Sequence, residues 1–248
     1  MINVVIQGLG YVGSASALVI ASKLGKNKKP LFNVIGIERK NNDNSQKLID
    51  KINSKIFPHS SSDVEVDSIL KKIKKFKNLI ATDDIKYFSK ADVIISSINF
   101  DFKDKNFNDF KLIPFRKSIE EIGKYITENT LLIVQSTVPP GTTEQIVLPI
   151  LRNILRKRQV NFKKIFLAHS FERVMPGDKY MESITNNWRV YAGINKVSEN
   201  KCKNFLSKII NVKEYPITRL NNPTESEICK LLENSFRAVN IAFIDEWL

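Results

Sequence analysis

The chain has 248 residues, 42% hydrophobic and 26% charged, with a formal net charge of +13. That balance is ordinary for a folded protein and excludes disorder as the whole account. No apolar run approaches the ~18 residues that would cross a bilayer, so no membrane partner is expected. The opening Met1-Ile2-Asn3-Val4-Val5 has no basic leader followed by a long apolar core, and no signal peptide is visible. The two cysteines, Cys202 and Cys229, are far apart. They form neither a disulfide scaffold nor a zinc spacing, so no metal is expected and a reducing cytoplasm is the expected compartment. The basic excess is mostly lysine, clustered at 23–29, 71–77 and 152–164. These clusters fall at helix ends and in connections, which reads as solvated faces rather than a nucleic-acid groove.

The pattern in chain order predicts a strand over 2–7, a helix over 11–24 and a strand over 31–38. Helices over 42–55 and 67–76 lead to a strand at 79–81, then a short buried strand at 91–96. A helix over 113–126, a strand over 130–135, a helix over 141–158 and a strand over 164–168 follow. Near-continuous apolar strands separated by helices specify a parallel sheet covered on both faces, and right-handed crossovers make it doubly wound. A further strand is expected at 188–194 and a helix at 198–210. From Thr224 onward one helix is expected, with Leu231, Leu232, Phe236, Val239 and Phe243 at helical spacing. No cap or terminating glycine closes it, which reads as a chain cut inside a helix. The division expected is a nucleotide-binding domain over 1–215 and the start of a second, helical unit over 216–248.

Gly8-Leu9-Gly10-Tyr11-Val12-Gly13 is a GxGxxG turn that follows the first strand and opens the first helix, the context such a motif requires. Gly8 permits the tight turn, Gly10 lets a pyrophosphate approach the backbone, and Gly13 lets helix and strand pack closely. The helix start at Tyr11 and Val12 offers unpaired N–H groups and a positive dipole end to phosphates. The second strand ends at Glu38, whose carboxylate can accept from both ribose hydroxyls of an adenosine and would repel a 2′-phosphate. NAD is therefore expected over NADP, with Arg39, the next residue, as the feature that argues the other way.

Two later segments carry chemistry. Gln135-Ser136-Thr137-Val138-Pro139-Pro140-Gly141-Thr142-Thr143-Glu144 lies between a strand and a helix, at the edge of the sheet where ligands bind. Thr142 or Thr143 could equally be a helix cap, so a structural and a ligand-binding reading both stand. Farther on, Lys230 and Asn234 share one helix face. A cation and an amide side by side can hold an oxyanion as hydride leaves a carbinol carbon. On spacing alone, a surface lysine and a surface asparagine describe the pair better.

Together with Phe171-Glu172-Arg173, Pro176-Gly177 and the run from Lys230 to Arg237 leading to Asn240-Ile241-Ala242, these segments resemble the UDP-glucose/GDP-mannose dehydrogenase family, the nucleotide-sugar 6-dehydrogenases. The motifs occur in the family's order. Their flavour is similar to the branch acting on N-acetylated sugars, such as UDP-N-acetylmannosamine dehydrogenase.

The resemblance implies a Rossmann-like NAD-binding domain followed by the start of a long central dimerisation helix, a homodimer formed through that helix, and a UDP-sugar substrate. It also implies a two-step oxidation of the sugar's carbon-6 alcohol through an aldehyde to a carboxylate, with NAD reduced at each step, in the synthesis of surface polysaccharide precursors. By position, Ser136 and Thr137 belong to the cofactor site, and Thr137 also orders a water or hydroxyl near the sugar. Glu172 would activate water or hydrolyse a thioester, and Lys230 and Asn234 would stabilise oxyanions.

Three departures stand out. Phe171 replaces a proline. Ser96-Ser97-Ile98-Asn99-Phe100 replaces a Pro-Thr-Pro-like turn. The family's catalytic cysteine falls beyond Leu248, as does its sugar-nucleotide domain. Cys229, about 100° around the helix from Lys230, is unsuited to that role; it and Cys202 read as buried, inert thiols. The alternatives are a beta-hydroxyacid dehydrogenase-like enzyme, which also pairs Lys and Asn four apart, and an inactive NAD-binding remnant.

Overall fold

The computed structural model describes residues 1–39, 43–98 and 112–247. Asn42, Asn99, Phe100 and Leu248, which figure in the sequence reading, lie outside them. The chain alternates β1 (Ile2–Gln7), α1 (Tyr11–Ser22), β2 (Phe32–Ile37), α2 (Asp43–Asn53), α3 (Glu65–Phe76), β3 (Leu79–Thr82) and β4 (Val93–Ser96). It continues through α4 (Ile113–Tyr125), β5 (Leu131–Val134), α5 (Leu148–Lys157), β6 (Phe166–His169), α6 (Glu182–Thr185), β7 (Arg189–Gly193), α7 (Lys196–Leu206), β8 (Ile217–Arg219) and α8 (Pro223–Asp245). The strands form one sheet in the order β3-β2-β1-β4-β5-β6-β7-β8.

The sheet is parallel from β3 through β6, as the apolar strands demand. Successive side chains alternate between its faces. Val4, Ile6, Val34, Ile95 and Ile133 pack under α1, α3 and α7, while Val5, Ile35, Ile94, Leu132 and Val134 pack under α4 and α5. The helices change sides between β1 and β4, which opens a crevice at the carboxyl ends of those two strands.

Three features depart from the expected pattern. First, β7 runs antiparallel to β6, and β8 pairs parallel with β7. The chain between β6 and β7 holds only the one-turn α6, too short to act as the crossover a parallel strand needs. In consequence β7 begins beyond the carboxyl end of β6, and Arg189 stands above the sheet edge. Second, β8 has no strand signal in the sequence and lies just past the division expected at residue 215. Third, the helix expected over 141–158 opens with a wide π turn at Thr143–Val147 before α5. Pro149 has no N–H to give to the Gln145 carbonyl and its ring crowds that group, which widens the turn.

Candidate active site

Every expected site residue lies on the carboxyl edge of the sheet or on α8. Gly8 follows β1 with φ of +90°, a backbone that glycine adopts without strain. A Cβ there would lie 2.9 Å from the Ser97 carbonyl oxygen, and one on Gly13 would lie 1.8 Å from the Gly8 carbonyl oxygen. The turn is therefore a cradle that side chains would fill. Gly10 caps α1 without a side chain, leaving the first N–H groups of the helix open to an anion.

Glu38 stands one residue past β2, and its carboxylate accepts the Leu9 N–H at 2.6 Å. Burial pushes its carboxyl above the usual carboxylate range, against the opposing pull of the Leu9 and Arg39 backbone N–H groups and the Arg39 guanidinium. Arg39 is itself engaged by Glu121 on α4, at 2.9 Å. The acidic group is thus joined to the glycine turn and the basic one to a neighbouring helix.

Val12, Ser136, Thr137, Glu172 and Lys230 line one cleft of about 120 Å³, together with Ser97, Gln135 and Val174. The cleft joins the start of α1 to the loops after β4, β5 and β6. Thr137 is exposed at its rim, whereas Ser136 is buried, its hydroxyl directed to the Ser96 carbonyl. The Glu172 carboxylate pairs with Arg189 of β7, both side chains being more than nine-tenths buried. The Lys230 ammonium donates to the Glu172 carbonyl at 3.0 Å. Burial, opposed next by the Glu233 carboxylate, leaves its amine below the ordinary lysine value. Asn234, one turn farther along α8, is exposed and outside the cleft lining.

Three contributors escaped the sequence reading. The first is Phe171, which entered there within the resembling segment and as a departure but with no role of its own. It is buried, and its ring lies 5.3 Å from both the Lys230 ammonium and the Arg173 guanidinium, so it supports the two cations that flank Glu172. The second is Ser97, named there only within a departing turn, whose hydroxyl is buried at the cleft with no partner among the described residues.

The third is Glu227, fully buried on α8. Its carboxylate accepts the Gly141 N–H at 2.6 Å, the Thr143 N–H at 2.8 Å and the Thr143 hydroxyl at 2.6 Å. The capping reading of Thr142 and Thr143 is therefore corrected. Neither hydroxyl caps the helix, because an anion from α8 occupies its N-terminal N–H groups, and charge-assisted bonds at the positive end of a helix outcompete a hydroxyl.

Burial pushes the Cys202 thiol up to about 12, matching the expectation of an inert group. Cys229 departs from it in being only half-buried, 3.9 Å from the Glu233 carboxylate. Burial and that carboxylate hold its thiol above the ordinary value. No cluster of three metal-ligating side chains occurs among the described residues.

The sequence model described as UDP-glucose/GDP-mannose dehydrogenase family, NAD binding domain, matches residues 2–211. The chain belongs to this family. Its relatives include the UDP-N-acetyl-D-mannosamine dehydrogenase of Pyrococcus horikoshii, 28% identical over 99% of this chain and 53% of the relative. The protein of the same name from Methanocaldococcus jannaschii is 30% identical over 99% and 50%. Among solved structures, the NDP-N-acetyl-D-galactosaminuronic acid dehydrogenase of Methanosarcina mazei Go1 superposes with a TM-score of 0.83 at 25% identity, over 99% of this chain and 49% of that one. The chain thus spans about half the length of the dehydrogenases it matches.

Proposed function

We propose that this chain is the NAD-binding part of a nucleotide-sugar 6-dehydrogenase that oxidises the carbon-6 alcohol of a UDP-sugar to the uronic acid, and that N-acetylated hexosamines of the UDP-N-acetylmannosamine type are its substrate class. Residues 1–215 form the cofactor domain and 216–248 begin the central helical unit, through which two copies pair. The cytoplasm is its expected location. The observation that carries the reading is the convergence of Thr137, Glu172 and Lys230 on a cleft that opens onto the glycine turn through Val12.

The glycine cradle, the open N–H groups of α1 and the Glu38 carboxylate fit an adenine dinucleotide. Gly8, Gly10, Tyr11, Val12 and Gly13 would hold its pyrophosphate, Glu38 its ribose, and Ser136 and Thr137 its nicotinamide end. NAD supplies a hydride acceptor when bound. The residues of the chain do the rest. The Lys230 ammonium, kept partly dry, stabilises negative charge on the sugar oxygen, whereas Asn234, exposed one turn farther along α8, would add an amide donor only to a substrate that extends past the cleft. Glu172, held by Arg189, positions water near the reacting carbon, and Thr137 orders a hydroxyl at the rim.

Going on to the acid requires a nucleophile to trap the aldehyde. Cys229, half-buried with a raised thiol, is not that group. The chain alone is therefore expected to bind NAD but yield no sugar acid from UDP-glucose, UDP-N-acetylglucosamine or UDP-N-acetylmannosamine. The assay follows NADH formation, with the sugar analysed by mass. Acid formation abolished by Cys229→Ser would overturn this reading. In a protein extended to the length of its relatives, Lys230→Ala is expected to lose turnover and keep NAD affinity. Equal loss of both would make Lys230 structural.

A further inference from the structure

His59 belongs to none of the motifs above, yet it is bonded to the glycine turn. It comes from the segment between α2 and α3. Its Nε2 lies 3.3 Å from the Leu9 carbonyl oxygen and 3.2 Å from the Ser14 hydroxyl. Its ring stacks on Tyr11, the first residue of α1, with centroids 4.3 Å apart and planes inclined by 23°. Phe57 meets the imidazole edge-on at 5.6 Å, and Tyr180 packs edge-on against Phe57 while donating its hydroxyl to the Tyr11 carbonyl at 2.6 Å. The turn is thus gripped from the side that carries its carbonyl groups.

We infer that His59 is a positioning residue of the dinucleotide site, holding the Leu9–Gly10 peptide in the orientation that the phosphate turn requires. The inference rests on reading this turn as a pyrophosphate site. The hydrogen bonds fix the roles. The Leu9 carbonyl can only accept, and the Ser14 hydroxyl already donates to it, so Nε2 carries the proton and donates to both oxygens. Burial holds the imidazole below its ordinary value, against the opposing pull of the Leu9 and Gly10 backbone groups and with the Lys51 charge as a lesser cause. The N–H at the other end of the same peptide belongs to Gly10. On its opposite flank, the Leu9 N–H is held by Glu38. A peptide fixed through both neighbours presents its donor to an anion without paying ordering entropy at the moment of binding. A donor bonded to the carbonyl also polarises that N–H.

The test compares NAD, ADP-ribose and adenosine binding to the wild type, His59→Phe and His59→Gln, by calorimetry for the first two and NMR titration for adenosine. His59→Phe keeps the stack on Tyr11 and loses the donor. It is expected to weaken NAD and ADP-ribose about tenfold, the effect of one hydrogen bond, and to leave adenosine within about twofold. His59→Gln, whose amide can donate to the Leu9 carbonyl, is expected to recover part of the loss. Equal weakening of all three ligands would show general damage and overturn the inference, as would unchanged affinity in both variants. A wild type that binds neither NAD nor ADP-ribose would instead overturn the reading of the turn, and the inference with it.

Discussion

His169 ends β6 fully buried, with Nδ1 2.8 Å from the hydroxyl of Ser226 on α8. Burial lowers its pKa from 6.5 to about 4, with only a weak opposing pull from the Ser136 backbone. In the unfolded chain this imidazole takes a proton below pH 6.5, whereas in the folded chain it does not until about pH 4. The stability it contributes is therefore present above the unfolded value and lost as pH falls through that window. By pH 5 the loss is about 2 kcal/mol. Urea unfolding of wild type and His169→Gln at pH 7 and pH 5 is expected to show a smaller pH loss in the variant by roughly that amount. Identical pH dependence in the two proteins would contradict the assignment. The nearby Glu172 shows how far a sequence reveals such a residue. The family resemblance gave it a role in water activation, but its partner Arg189 comes from a strand whose direction depends on the short link before it.

At the scale of elements, α8 is the part most in need of anchoring. Glu227 fixes it to the turn before α5, Ser226 to β6, and Lys230 to the Glu172 carbonyl. Glu233 fixes it to Arg173 through a two-pronged ion pair at 2.8 and 2.9 Å. Glu227→Ala leaves the buried Gly141 and Thr143 N–H groups without their acceptor, which should cost about 2–4 kcal/mol. Urea unfolding is the check, and a loss below about 0.5 kcal/mol would mean that water replaces the carboxylate.

The glycine turn and the apolar strands were legible in the sequence because each is a local pattern with one physical meaning. Glu227 was not, because its partners lie 84 and 86 residues away and a glutamate on a helix looks the same whether buried or solvated. Phe171 stood out as a missing proline in a resembling segment, but its role did not, since its contacts with Lys230 and Arg173 exist only once β6 and α8 meet. The antiparallel β7 and the three-residue β8 carry no periodicity that sets their direction. His59 lay in a segment with neither helical nor strand pattern.

At the scale of the whole molecule, the sheet and its helices bury two continuous apolar layers, while the second half of α8 leaves its own apolar side chains uncovered. Phe236 is 74% exposed and Trp247 78%, with Leu232, Val239 and Phe243 also open. A contiguous patch of this kind marks an interaction surface. Light scattering is expected to show self-association that weakens on Phe236→Asp and Phe243→Asp. A clean monomer at high concentration would contradict pairing through α8.

The central claim is that the carboxyl edge between β1 and β2 holds NAD through the glycine cradle and Glu38. A direct test is titration of the chain with NADH and NADPH, followed by cofactor fluorescence. Like-charge repulsion between Glu38 and a 2′-phosphate is worth about 1 kcal/mol or more at short range. NADH is therefore expected to bind at least about fivefold more tightly, with the preference narrowed by Glu38→Gln. Binding of neither nucleotide, or tighter binding of NADPH with Arg39 freed from Glu121, would contradict it.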